Sequence, residues 1–98
     1  MPSNLISLKL LSDPTRLRLI MLLEHEELSV AELQSVLAMG QSRISTQLAK
    51  LKENTLVSDR RVGKNILYSA CASEALLRVA RFAAEEIEEI LTDKAALR

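Results

Sequence analysis

The sequence predicts a mainly α fold with a small β-hairpin, and three observations predict it. Residues 29–53, SVAELQSVLAMGQSRISTQLAKLKE, read as two short amphipathic helices parted by a tight break. Residues 57–70, VSDRRVGKNILYSA, read as a basic two-stranded ribbon. The composition is 48% hydrophobic, yet Tyr68 and Phe82 are the only aromatic residues, and two glycines and two prolines leave few break points. Leucine, isoleucine, valine and alanine then pack helix on helix, which argues against an all-β chain. Two helices around a tight turn, followed by a hairpin, make a winged helix-turn-helix, here with five helices plus a two-stranded wing.

Taken in order, NLISLKLL at 4–11 is a short apolar helix. Asp13-Pro14 restarts the chain: aspartate is a good N-cap, and proline at the first helical position lacks only an N–H that has no helical partner there. The second helix is expected to run to about Leu23, with Leu17, Ile20, Met21 and Leu23 inward and Arg16 and Arg18 in water. Glu24, His25, Glu26 and Glu27 then form a polar loop. Ser29-Val30-Ala31-Glu32 is a capping box, because the serine hydroxyl accepts from the N–H three residues on and the glutamate reaches back. It starts the third helix at Val30, with Leu33, Val36 and Leu37 inward.

Met39-Gly40 is the break, where glycine is expected to supply the positive φ of a helix stop. The fourth helix, from Gln41 to about Asn54, is pinned by Ile44, Leu48 and Leu51. Strands at Val57–Arg61 and Ile66–Ala70 flank Val62-Gly63-Lys64-Asn65, with Arg60, Arg61 and Lys64 near the tip. A single last helix from about Ser73 to Thr92 carries Leu76, Ala80, Ala83, Ile87 and Ile90 at steps of 4, 3, 4 and 3. Leu77, Ala84 and Leu91 flank them at intervals of seven. The stripe reads as a dimer seam, although one helix buried in a monomer shows the same pattern.

The 98 residues fit one domain, 1–98, without linker or repeat. So small a chain buries a modest core, and a second subunit would complete it. The lone Cys71 excludes an intramolecular disulfide, and MPSNLISLKLL lacks both a basic leader and a membrane-length apolar run. The expected location is the cytoplasm, away from the membrane.

The formal net charge is zero, but its halves oppose each other. Residues 41–68 hold six basic residues against two acidic ones, a net +4, and residues 71–93 hold two against six, a net −4. The local field, not the total, would steer a phosphate backbone. The fourth helix offers the chemistry of base recognition: glutamine pairs with adenine, arginine with guanine, and serine or threonine serve several edges. Gln41, Ser42, Arg43, Ser45, Thr46, Gln47 and Lys50 are the candidate DNA-binding residues there. Arg60, Arg61 and Lys64 of the wing are candidates for phosphate contacts, which position the protein without choosing sequence. The bland alternative for each is a solvated polar surface.

In these residues the chain resembles the arsenic-repressor (ArsR/SmtB) family of bacterial winged-helix regulators from about Leu5 to Leu91. LLSDPTRLRLIMLL is similar to that family's second-helix signature, and ELSVAELQSVLAMGQSRISTQLAKLKENTLVSDRRVGKNILYSA to its helix-turn-helix and wing. The resemblance implies a homodimer joined through the first and last helices, with Leu5, Leu8, Leu76, Ala80, Ala83, Ile87 and Ile90 at the interface. It implies repression of transcription by binding double-stranded operator DNA at an inverted repeat, until an effector or a chemical change weakens it.

The chain departs from metal-sensing members. Ser29-Val30-Ala31 stands where they often carry Cys-Val-Cys, and the last helix has no histidine. His25 and Cys71 are the only nitrogen or sulfur ligands of the kind zinc favours, and they are far apart in sequence, so neither a metal site nor another cofactor is expected. Cys71 reads as a buried inert thiol, with an intersubunit disulfide as the alternative. There is no glycine-rich phosphate loop, no HExxH and no serine–histidine–aspartate set, so an enzyme is not expected. The reading from another class is a dimerisation and protein-interaction module, derived from a longer fusion protein, that keeps the winged-helix shape.

Overall fold

A computed structural model describes residues 4–97. Its elements are α1 (Asn4–Leu11), α2 (Pro14–His25), α3 (Val30–Leu37), α4 (Gln41–Glu53), β1 (Val57–Val62), β2 (Asn65–Ala70), α5 (Glu74–Ala84) and α6 (Glu88–Ala96). The winged helix-turn-helix is therefore as expected, with one more helix than expected among the described residues. No helix of the described residues is long and apolar enough to cross a membrane.

Helix α2 is the central element. Asp13 caps it, its carboxylate accepting from the Arg16 N–H at 3.0 Å, and Pro14 occupies the first turn. Leu17, Leu19, Ile20, Met21, Leu22 and Leu23 are all buried, a wider apolar face than the sequence pattern suggests, because α1, α5, α6 and β2 all pack on it. Leu33 from α3 and Ile44, Leu48 and Leu51 from α4 complete the same core.

The capping box forms: the Ser29 hydroxyl accepts from the Glu32 N–H, and the Glu32 carboxylate accepts from the Ser29 N–H at 2.9 Å. The turn after α3 corrects one expectation. Ala38, at φ 54 and ψ 45, supplies the left-handed helix stop, whereas Gly40 is extended at φ −71 and ψ 155 and serves as N-cap of α4. Helix α4 ends in a Schellman motif, with the Leu56 N–H on the Leu51 carbonyl at 2.9 Å and the Thr55 N–H on that of Lys52 at 3.0 Å. The left-handed position is Thr55, at φ 57.

Strands β1 and β2 are antiparallel, with Val57 opposite Ala70 and Val62 opposite Asn65, one residue longer at the tip than expected. The Gly63-Lys64 turn has positive φ only at Gly63 (φ 62), the pattern of a type II′ hairpin. On the other edge of β2, Leu28 forms a bridge with Tyr68 through bonds of 3.1 and 2.8 Å. That bridge ties the wing to the loop before α3.

The expected single last helix is two helices. After Ala84, the N–H groups of Glu85, Glu86 and Ile87 bond three residues back, and Ile87 turns extended at φ −108 and ψ 103 before α6 begins. The bend places Ile90 in the core and brings Asp93 to Arg18. An uninterrupted helix would also stack four glutamates (85, 86, 88 and 89) as like-charge neighbours three and four apart.

Candidate nucleic-acid interface

Helix α4 presents three stripes. Ile44, Leu48 and Leu51 face the core. Ser42, Thr46, Ala49 and Lys50 lie on the opposite, exposed side, with Gln41 and Ser45 also exposed. Arg43 and Gln47, one turn apart, share the flank against the start of α2. There Arg43 Nη2 donates to Thr15 Oγ1 at 3.1 Å, and Arg16 Nη1 donates to Gln47 Oε1 at 3.1 Å. Gln47 is half-buried as a result, unlike the other six candidates on this helix.

Arg16 and Arg18 do not stay in water as expected. Arg16 Nε also donates to the Leu10 carbonyl at 2.5 Å, so one side chain joins the end of α1 to α4. Arg18 makes a two-pronged pair with Asp93, at 2.7 Å on each oxygen. Partners distant in sequence drew both guanidinium groups inward, a cause that helical periodicity cannot reveal.

On the wing, Arg61 and Lys64 are exposed and have no acidic partner among the described residues. Arg60 differs. Its guanidinium donates to both Glu27 oxygens at 2.7 and 2.6 Å, so its charge is offset by the loop that carries the Leu28 bridge. The Arg60 hydrogen bond, aided by its charge, outweighs desolvation and holds the Glu27 carboxyl below the usual carboxylate range. Lys52 on α4 is likewise paired with Asp59 of β1 at 2.9 Å. The net positive charge of this face thus resides on Arg43, Lys50, Arg61 and Lys64.

Three contributors carry no mark in the helical pattern of polar residues. Ala49 puts a methyl group on the exposed stripe, where a thymine methyl is a natural partner; continuing the 42, 46, 49 spacing would have found it. Thr15 and Arg16 act on α4 from another helix, and no local signal marks them.

The expected dimer residues divide between two environments. Leu76, Ala80 and Ile90 are buried within the chain's own core, and Ile87 is half-buried against it. Ala83, Leu5 and Leu8 are exposed. Ile6, Val79 and Phe82 join them, with Phe82 at 73% exposure, and a cavity of about 180 Å³ between α1 and α5 is lined by Leu8, Leu11, Leu76, Val79 and Ala83 among others.

His25 ends α2 beside Met21, Glu24, Arg81 and Lys94, whereas Cys71 lies between β2 and α5. Among the described residues no three histidine, cysteine or acidic side chains come together as a metal would need. Cys71 is exposed, not buried as expected: its backbone N–H bonds to the Leu56 carbonyl while the thiol donates outward to that of Thr55 at 3.4 Å.

A family model described as "Bacterial regulatory protein, arsR family" matches residues 13–59, from the cap of α2 to β1. The solved structure of the transcriptional repressor BigR from Xylella fastidiosa is 35% identical, superimposes with a TM-score of 0.69, and is matched over 82% of this chain and 78% of its own. The chain belongs to the arsR family of bacterial regulatory proteins. Within that family it is 38% identical to a transcriptional repressor SmtB homolog of Synechocystis over 81% of this chain and 59% of the relative. Reduced HlyU from Vibrio cholerae superimposes with a TM-score of 0.75 at 28% identity, over 86% of this chain and 87% of that one. The chain spans about three fifths of the length of the curated relatives it matches first.

Proposed function

We propose that this chain is a DNA-binding transcriptional regulator that acts as a homodimeric repressor in the cytoplasm. The observation that carries the reading is the joint exposure of Ser42, Arg43, Ser45, Thr46 and Lys50 on α4 beside Arg61 and Lys64 on the wing. Helix α4 enters the major groove, where Ser42, Arg43, Ser45, Thr46 and Gln47 meet base edges, with Gln41 at its leading end and Lys50 toward the backbone. Arg61 and Lys64 meet flanking phosphates, and Arg60 joins them only by giving up Glu27.

A second copy covers the apolar face of α1 and α5, through Leu5, Leu8, Val79, Phe82 and Ala83. Leu76, Ala80, Ile87 and Ile90 support that face from below or beside it. A two-fold pair places two α4 helices in successive major grooves, so the operator is an inverted repeat with half-sites about one helical turn apart. The names of the SmtB homolog and BigR as repressors support repression as the direction of control.

The test is a fluorescence-anisotropy titration against the protein's own promoter and a scrambled duplex at two salt concentrations. Promoter-selective binding that weakens with salt is expected. Equal weak binding to both duplexes, or none, overturns the reading in favour of a protein-interaction module.

A further inference from the structure

Arg16 carries no DNA contact in the proposed function, yet two hydrogen bonds fix its side chain beside α4. It belongs to the first turn of α2, and its guanidinium is half-buried where α1, α2 and α4 meet. Nε holds the Leu10 carbonyl at 2.5 Å, one of the final carbonyls of α1 that have no helical partner. Nη1 holds Gln47 Oε1 at 3.1 Å. A planar fork with one prong fixed on a backbone carbonyl has little freedom to reorient the other.

The consequence falls on Gln47. Arginine only donates, so the glutamine amide must turn its oxygen toward Arg16 and its Nε2 away. Nε2 has no protein partner among the described residues. A free glutamine reads adenine with both ends of its amide, accepting from N6 and donating to N7. Gln47 has its oxygen turned toward Arg16 on α2, with one of two lone pairs taken, and the N–H donors of Nε2 are the end left unpaired. Donors suit the acceptor-bearing edges of guanine (O6, N7), adenine (N7) and thymine (O4), and they meet no acceptor on the N4 amino group of cytosine.

The geometry points to Arg16 as a positioning residue for specificity: by turning Gln47 Oε1 toward α2, it biases Gln47 to read as a donor and so to disfavour cytosine at one position of each operator half-site. This rests on the proposal that α4 reads DNA. Arg16 acts through Gln47 and touches no base or phosphate.

The experiment measures relative affinity for all four bases at every operator position, together with the salt dependence of binding. It is done for the wild type, Arg16→Met, Gln47→Met, Gln47→Glu and the Arg16→Met/Gln47→Met pair, with melting curves confirming that each is folded. Arg16→Lys, which keeps a charge and a donor for the Leu10 carbonyl, replaces Arg16→Met if that variant does not fold. In the wild type, cytosine at one position is expected to weaken binding about tenfold. Arg16→Met frees the Gln47 oxygen and shifts the preference at that same position toward adenine, Gln47→Met flattens it, and the double variant matches Gln47→Met. Gln47→Glu keeps an acceptor for Arg16 but turns toward cytosine, whose N4 donates to it.

Unchanged preference in the Arg16 variants overturns the proposal, as do effects that simply add in the pair. A salt slope reduced by about 0.9 in Arg16→Met also overturns it, because Arg16 would then be a phosphate contact. Selective wild-type binding with no position sensitive to Gln47 overturns it while leaving the regulator reading standing. A wild type without sequence preference removes both.

Discussion

Arg18 and Asp93, 75 residues apart in sequence, form a two-pronged ion pair in which the carboxylate side chain is 3% exposed and the guanidinium 18%. It is the most deeply buried ion pair among the described residues, and it fastens α6 to the central helix. Its geometry explains why α5 does not simply continue: a straight extension would not return residue 93 to α2.

Removing one partner leaves the other buried and uncompensated. Arg18→Ala is therefore expected to destabilise the fold by about 3 kcal/mol. Urea denaturation followed by circular dichroism measures the loss, and hydrogen exchange should show α6 losing protection first. A loss below about 0.5 kcal/mol would place this pair with ordinary surface pairs.

The Glu27–Arg60 pair opposes DNA binding in the proposed function, since it occupies a wing cation. Glu27→Gln should tighten DNA binding several-fold and steepen the dependence of log affinity on log salt by about 0.9, one added phosphate contact. Anisotropy titrations across a salt series would reveal an unchanged slope if Arg60 stays out of reach of the backbone.

The same pair sets a pH dependence. Glu27 has its pKa lowered in the folded chain, so folding favours its ionised form. Its contribution to stability is complete above the unfolded carboxylate value of about 4.3 and is lost as pH falls through the lower folded value. Wild type and Glu27→Gln should thus differ in melting temperature at pH 7 and converge as pH falls from about 4.3 through the lower folded value. A difference that grows on acidification would reverse the assigned sign.

Thr55 at φ 57 and Ala38 at φ 54 hold left-handed positions without being glycine. Thr55 carries the heavier penalty, because its branched Cβ crowds the following carbonyl. Thr55→Gly is expected to raise stability by about 1 kcal/mol, with a smaller gain for Ala38→Gly after the entropic cost of glycine is deducted. Thermal melts of the two single variants provide the comparison.

Phe82 is 73% exposed on the apolar face of α5. Phe82→Glu should convert a dimer to a monomer in sedimentation velocity while leaving the helical circular dichroism intact, because the side chain touches little of its own chain. A wild type that sediments as a monomer would remove the proposed interface.

Some features of this protein were decided locally, within a few residues, and the sequence alone determined those. Asp13-Pro14 and Ser29–Glu32 start α2 and α3 through caps formed by neighbouring atoms, and Gly63 allows the wing to turn. The 4, 3 spacing of Ile44, Leu48 and Leu51 fixed which side of α4 stays outside. The family signature could be read for the same reason, since it is built from these local devices.

Only the tertiary structure decided what depends on distant partners. It ended α3 at Leu37, whose side chain is buried in the shared core, and this put the positive φ on Ala38 and left Gly40 to cap α4. It bent the final apolar stripe at Ile87, since burying Ile90 and pairing Asp93 with Arg18 required a change of direction. It drew Gln47 toward Arg16 and Arg60 toward Glu27. A charged or amide side chain reads as solvent-exposed until a partner far along the chain comes within hydrogen-bond reach, and no periodicity encodes that approach.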